Sequence, residues 1–138
     1  MKLKAEYKKA IIGDFRYAAK KMMEVQPPDQ KLFYFTSTFG TLSRIFNFEF
    51  SSELVFAYSV LSSAHATVLS RIGALKAGDI TVSLQGDFFE RLAHEVEELA
   101  KLIEKNEDIH LPLEKITLLA YITTGNGFYL LQRGMLSL

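Results

Sequence analysis

The sequence predicts an all-α fold, a single domain over residues 1–138 built as a bundle of about five helices with a short extended segment near 80–84. Three observations lead there. The stretch from Ser51 to Gly78 repeats large apolar residues every seventh position, at Leu54, Leu61, Val68 and Leu75, a helical and not a strand period. Residues 87–105 carry an amphipathic helical pattern with start and stop signals of its own. No segment with strand-like alternation has a second one of comparable strength to pair with, and a lone short strand makes no sheet.

The first helix is expected from about Lys4 to Val25. Tyr7, Ile11, Phe15, Ala18, Met22 and Val25 form its apolar face at steps of three and four, with Lys9, Arg16 and Lys20 on an outer stripe. Pro27 and Pro28 end it, and Asp29 is placed to cap the next helix. That second helix, Gln30 to Asn47, has a seam of Leu32, Phe35, Phe39, Leu42 and Phe46. Phe46, Phe48 and Phe50 alternate as a strand would, but no partner strand exists. Seven of the eleven phenylalanines fall between Phe33 and Phe56; core filling is the expectation, with an aromatic pocket or interface as the alternative.

The third helix is the longest and is expected in the middle of the bundle. Ser51 or Ser52 starts it, Gly78 stops it, and no formal charge occurs between Glu53 and Arg71. Opposite its apolar stripe runs a stripe of small residues, Ser59, Ser63, Ala66, Ser70 and Gly73, which lets a neighbouring backbone come close. Ile80, Val82 and Leu84 alternate in the linker and are expected to lie extended across the bundle. In the fourth helix Asp87 and Glu90 fit a capping box, and Phe88, Leu92, Val96, Leu99 and Ile103 form the buried stripe. The fifth is expected from Leu113 to about Arg133, with Pro112 in its first turn and an interruption at Gly125-Asn126-Gly127. The apolar ending GMLSL is expected to dock on the body or on a partner.

Composition narrows function by exclusion. Formal net charge is zero, which removes the simplest electrostatic case for a nucleic-acid or anionic-membrane partner. Charge-free runs at 32–43, 54–70 and 116–132 are too short and too polar to span a bilayer. There is no cysteine, so no disulfide framework and no thiolate zinc site. With no signal-peptide pattern at MKLKAEYKKAII, a cytoplasmic location is expected.

His65 is the one position on the third helix that packing does not demand. With Tyr58 and Arg71 it forms a candidate ligand-binding group in an interhelical cavity, against the plainer reading of a buried neutral histidine. Glu90, His94 and Glu98 share a face at i, i+4, i+8, a solvated face more than a metal site. Glu95 and Glu98 resemble, over under about twenty residues, the Glu-rich helix of the all-α NTP pyrophosphatases. That family completes its Mg²⁺ site with Glu-x-x-Asp on a second helix; here Glu114 is followed by Thr117, so neither metal nor activity is carried over. No phosphate loop, nucleophile elbow or zinc-protease motif occurs, and no cofactor is expected.

Charge is uneven along the chain. Residues 1–31 carry eight basic and four acidic groups, and residues 87–108 three basic and eight acidic. Lys9, Arg16 and Lys20 facing Glu90, Glu97 and Glu98 make a candidate interaction surface, within one chain or between copies. The leading expectation is therefore a protein-interaction or assembly module that acts by binding, as a homo-oligomer or complex subunit. A small-ligand binder or enzyme using His65 is the second reading. Nucleic-acid binding through helix one is the third.

Overall fold

Five α-helices and no strand occur among the residues that the computed structural model describes, 3–79, 82, 84, 86–124, 127 and 131–134. They are α1 (Ala5–Glu24), α2 (Pro28–Ile45), α3 (Ser52–Lys76), α4 (Phe88–Glu104) and α5 (His110–Tyr121). Their main contacts close into a ring: α1 on α2, α2 on α3, α3 on α5, α5 on α4, and α4 back on α1. The α1–α4 pairing is the most extensive. Every helix sends side chains inward, with Phe15, Met22, Leu32, Phe35, Leu42, Leu61, Leu99 and Ile116 all but fully buried. Each such side chain contributes about 1.5–3 kcal/mol relative to exposure.

The long helix is not central, which corrects the sequence reading. α3 packs chiefly on α2 and α5, and its other side is open. Its buried stripe also drifts: Leu54, Leu61 and Val68 are buried, but the place expected for Leu75 is taken by Ile72, and Leu75 is exposed. A straight helix slips about 20° per heptad against a seven-residue repeat, so three heptads carry Leu75 out of the seam. The charge-free sequence identified a helix with little polar surface; it did not identify how many neighbours cover it.

The helix ends show which local signals decided. Ser51 caps α3, its hydroxyl accepting from Leu54 N–H at 3.3 Å. Gly78 closes α3 with φ +87°, donating to Leu75 O while Asp79 donates to Ala74 O, each at 3.0 Å; this is a Schellman ending, for which glycine's freedom at positive φ is suited. Asn106, φ +57°, ends α4 in the same way. Two expected caps differ. Pro27 takes the N-cap of α2, and Asp29 instead holds Lys76 Nζ at 2.9 Å. Asp87 makes no capping bond and pairs with Arg91 Nε at 2.8 Å.

The fifth helix breaks off earlier than expected, and Gly127, Leu131 and Gln132 are helical again beyond the break. α5 ends at Tyr121, where the Thr123 and Thr124 hydroxyls donate to the carbonyls of Ala120 and Tyr121 at 2.6 and 2.9 Å. Gly127 then packs on that helix end: a Cβ there would overlap the Tyr121 carbonyl oxygen and sit 2.7 Å from Ile122 Cα. A close approach of backbone to backbone explains this glycine. Of the expected extended segment, Val82 is buried and Leu84 packs on the core. Ile80, Gly125-Asn126 and the terminal MLSL lie outside the described residues.

Candidate interaction site

The open side of α3 is unusual for solvent-facing helix. Val55, Ser59, Ser63, Ala66, Leu69, Ser70 and Gly73 are all exposed, and none carries a charge. Solvated helix faces normally alternate charged and polar side chains. Here the residues at 59, 63, 66, 70 and 73 step by four and three along one line, the spacing at which helices interdigitate. Their small side chains let a second helix backbone approach closely.

Exposed aromatic residues also occur in and just before the N-terminal end of α3. Phe48 and Phe50, in the link from α2, are 74% and 80% exposed, and Phe56 is 46% exposed. The Phe-rich stretch thus divides. Phe35 is buried, Phe39 and Phe46 pack on the core, and Phe33, Phe48, Phe50 and Phe56 are exposed. An exposed phenylalanine forfeits the gain from burial that its ring offers. Phe48 partly recovers it by stacking on Tyr7, with centroids 6.2 Å apart, and Phe56 stacks on His110 at 5.2 Å.

Beside the open face, a groove runs between α3 and α5. One part, about 310 Å³, is lined by Phe56, Val60, His110, Leu113 and Thr117. The next, about 570 Å³, shares Val60 and Thr117 and continues past Ser63 and Thr67 to Arg71. From Phe56 to Arg71 it follows about 22 Å of helix. Arg71 lines the far end of this groove. Its Nε is buried at the groove and has no hydrogen-bond partner, a cost ordinarily met by a bound group or water.

His65 and Tyr58 face the other way, towards α2. The His65 ring lies parallel to Phe35, centroids 6.5 Å apart, and edge-on to Phe39 at 5.3 Å. Tyr58 packs between Phe39 and Phe46 at 6.1 and 5.8 Å. Burial pushes the His65 pKa down, because the imidazolium loses hydration among aromatic rings and gains no carboxylate. The three candidate ligand residues are therefore divided, His65 and Tyr58 in an aromatic cluster and Arg71 in the α3–α5 groove.

The oppositely charged faces meet within the chain. Arg16 Nε is 3.2 Å from Glu97 Oε1, and its Nη2 is 3.3 Å from Glu104 Oε1. Hydrogen bonds to Glu104 and then Glu97 raise the guanidinium pKa. Lys20 pairs with Glu24 and Glu98 with Lys101. Lys9 is exposed beside the shallow cleft that Arg16 and Glu104 share, and Glu90 faces α5 across a separate cleft. Among the described residues no group of three His, Asp or Glu side chains could hold a metal ion, and no helix is long and apolar enough to cross a membrane.

Sequence reasoning named the small-residue stripe but assigned it a neighbour inside the bundle. It noted Glu95 only for its likeness to a Glu-rich metal helix and did not foresee that this charged residue is buried. The signal was present: Glu95 falls three residues after Leu92 and four before Leu99, on the apolar stripe. No protein-family model matches this chain, and neither a curated protein nor a solved structure does.

Proposed function

We propose that this protein is an interaction module that assembles with a second copy of itself through the open face of α3. The observation that supports this most is the exposed, uncharged surface from Val55 to Gly73. Such a face is self-complementary. Two copies related by a two-fold axis bring like surfaces together, and the absence of charge removes the like-charge repulsion that self-pairing would otherwise incur. Phe56 and Leu69 lie beside the stripe on α3 and supply apolar area that the small residues lack. A stable interface needs about 800 Å² per partner; α3, about 37 Å long, provides roughly half in a strip one helix wide, and the flanking side chains provide the rest.

The charged surface of α1 takes no part in this reading. Arg16 and Lys20 are engaged by carboxylates of the same chain, which a nucleic-acid phosphate would have to displace. Function by binding, and not by catalysis at His65, also suits a histidine stacked among phenylalanines without a carboxylate partner.

Size-exclusion chromatography with light scattering tests the proposal. The native chain is expected to elute as a dimer that dissociates on dilution. Ala66→Arg, at the middle of the stripe, is expected to be a folded monomer. A native chain that stays monomeric at about 100 µM, a concentration that would populate even a micromolar dimer, overturns it.

A further inference from the structure

The stripe that α4 turns towards the core is apolar except at Glu95. This residue exposes only 8% of its surface, and it lines a cleft of about 470 Å³ between α4 and α5 with Glu90, Arg91, His94, Lys115 and Leu119. That volume is in the ~300–1,000 Å³ range of small-molecule sites. Glu95 makes no hydrogen bond or ion pair with any described residue. Lys115, on the facing helix, likewise makes none and acts on the Glu95 carboxyl only through longer-range attraction. Its carboxylate opens onto the cleft, and a carboxylate that gives up much of its hydration without gaining a partner is disfavoured in its charged form. Loss of hydration raises its pKa, and Lys115, then His94, offset this in part.

The other charges in the cleft are accounted for differently. Asp87 and Arg91 neutralise each other at 2.8 Å on the rim. What remains is a carboxylate from α4 and an ammonium from α5, both lining the cleft and not bonded to each other. Glu90 adds a second negative group on the α4 side, and Leu119 an apolar floor.

We propose that this cleft binds a small zwitterion of the amino-acid class, with its ammonium against Glu95 and its carboxylate against Lys115. A molecule whose own dipole opposes that of the two walls satisfies both at once, and each contact is a charge-assisted hydrogen bond. A simple anion meets Glu90 and Glu95. A divalent cation meets Lys115, and its usual set of oxygen ligands is missing. The extra carboxylate of Glu90 favours a ligand with a second amine, so a basic amino acid is the best-matched member of the class.

The test uses the full chain, with L-lysine as probe and cadaverine as the same molecule lacking the carboxylate. Titration followed by amide NMR is expected to give saturable shifts confined to the α4–α5 cleft. Cadaverine is expected to bind about tenfold or more weakly, the loss of one charge-assisted contact. Glu95→Gln and Lys115→Met, each checked for a native spectrum, are expected to weaken lysine binding by at least about tenfold. The proposal is overturned by the absence of saturation at about 10 mM lysine, by equal binding of cadaverine, or by folded variants that bind as the native chain does. Glu90→Gln is a milder change in the same cleft, expected to weaken lysine more than alanine. Equal losses for both would overturn the preference for a basic side chain.

Discussion

Arg16 Nε lies 3.2 Å from Glu97 Oε1, tying α1 to α4 across 81 residues of sequence. Glu104 takes a second arm of the same guanidinium at 3.3 Å. The most basic and the most acidic helices of the chain are therefore neighbours, and their long-range attraction favours the ring closure that places α4 against α1. The groups are well exposed, so solvent screens them. Arg16→Met is expected to lower the thermal midpoint only slightly, and the difference from the native chain should vanish in about 1 M NaCl, where the Debye length is about 3 Å. A large loss that salt leaves unchanged would show that Arg16 acts by packing its aliphatic stem.

Two glycines should respond in opposite directions to alanine. At Gly127 a Cβ meets the backbone of Tyr121 and Ile122, which cannot retreat as a side-chain tip could. Gly127→Ala is expected to destabilise by about 1–3 kcal/mol. Gly13 sits inside α1 with nothing within 4 Å of a new Cβ, so Gly13→Ala is expected to stabilise by about 0.5–1 kcal/mol through helix propensity. Urea denaturation of the two variants checks both signs.

Glu95 gives a pH signature. Its folded-state pKa is raised by burial, so its contribution is most favourable below the ordinary glutamate range and is lost as pH rises through the raised value. Glu95→Gln should therefore be more stable than the native chain at neutral pH. That advantage should shrink as pH is lowered and the native carboxyl takes up its proton. Melting curves across pH 4 to 8 (about the span over which carboxylates and histidines titrate) measure this. A constant difference across that range would mean that the Glu95 carboxyl does not titrate differently on folding.

His65 carries the opposite sign. Its folded-state pKa is lowered by burial, so its contribution is fully present above the ordinary histidine range. It is lost as pH falls from there through the lowered value, because the unfolded chain takes up a proton first. His65→Phe continues the aromatic cluster of Phe35 and Phe39 and removes the titrating group. The variant should lose less stability than the native chain on acidification from pH 7 to pH 5, a range that brackets the ordinary histidine pKa. Equal losses would place the acid sensitivity elsewhere.

Much of the fold was legible because its signals are local. The buried stripe of α4, the serine cap and glycine stop of α3, and the proline break after α1 each act within a turn or two of helix, and each appears as read. What sequence could not resolve depended on residues far apart in the chain. Whether α3 has two neighbours or four is a property of the ring and not of α3, so a helix without charges looked like a central one. The phenylalanines divide in the same way, since Phe35 meets His65 while Phe50 meets solvent, although both belong to one apolar run. At Asp87 a local rule lost to a local competitor: the carboxylate that should cap α4 is drawn to Arg91, one turn on. Glu95 stood out on the helical wheel only once its burial was known.

The central claim, self-association through the open face of α3, can be read directly from a single engineered cysteine, since the native sequence has none. Ala66→Cys places a thiol at the middle of the stripe, where a two-fold axis would bring it close to its own copy. Lys20→Cys places one on the exposed side of α1 as a control. Under mild oxidation at micromolar protein concentration, Ala66→Cys is expected to give rapid, near-complete disulfide dimer and Lys20→Cys only slow collisional cross-linking. Equal rates for the two would contradict it.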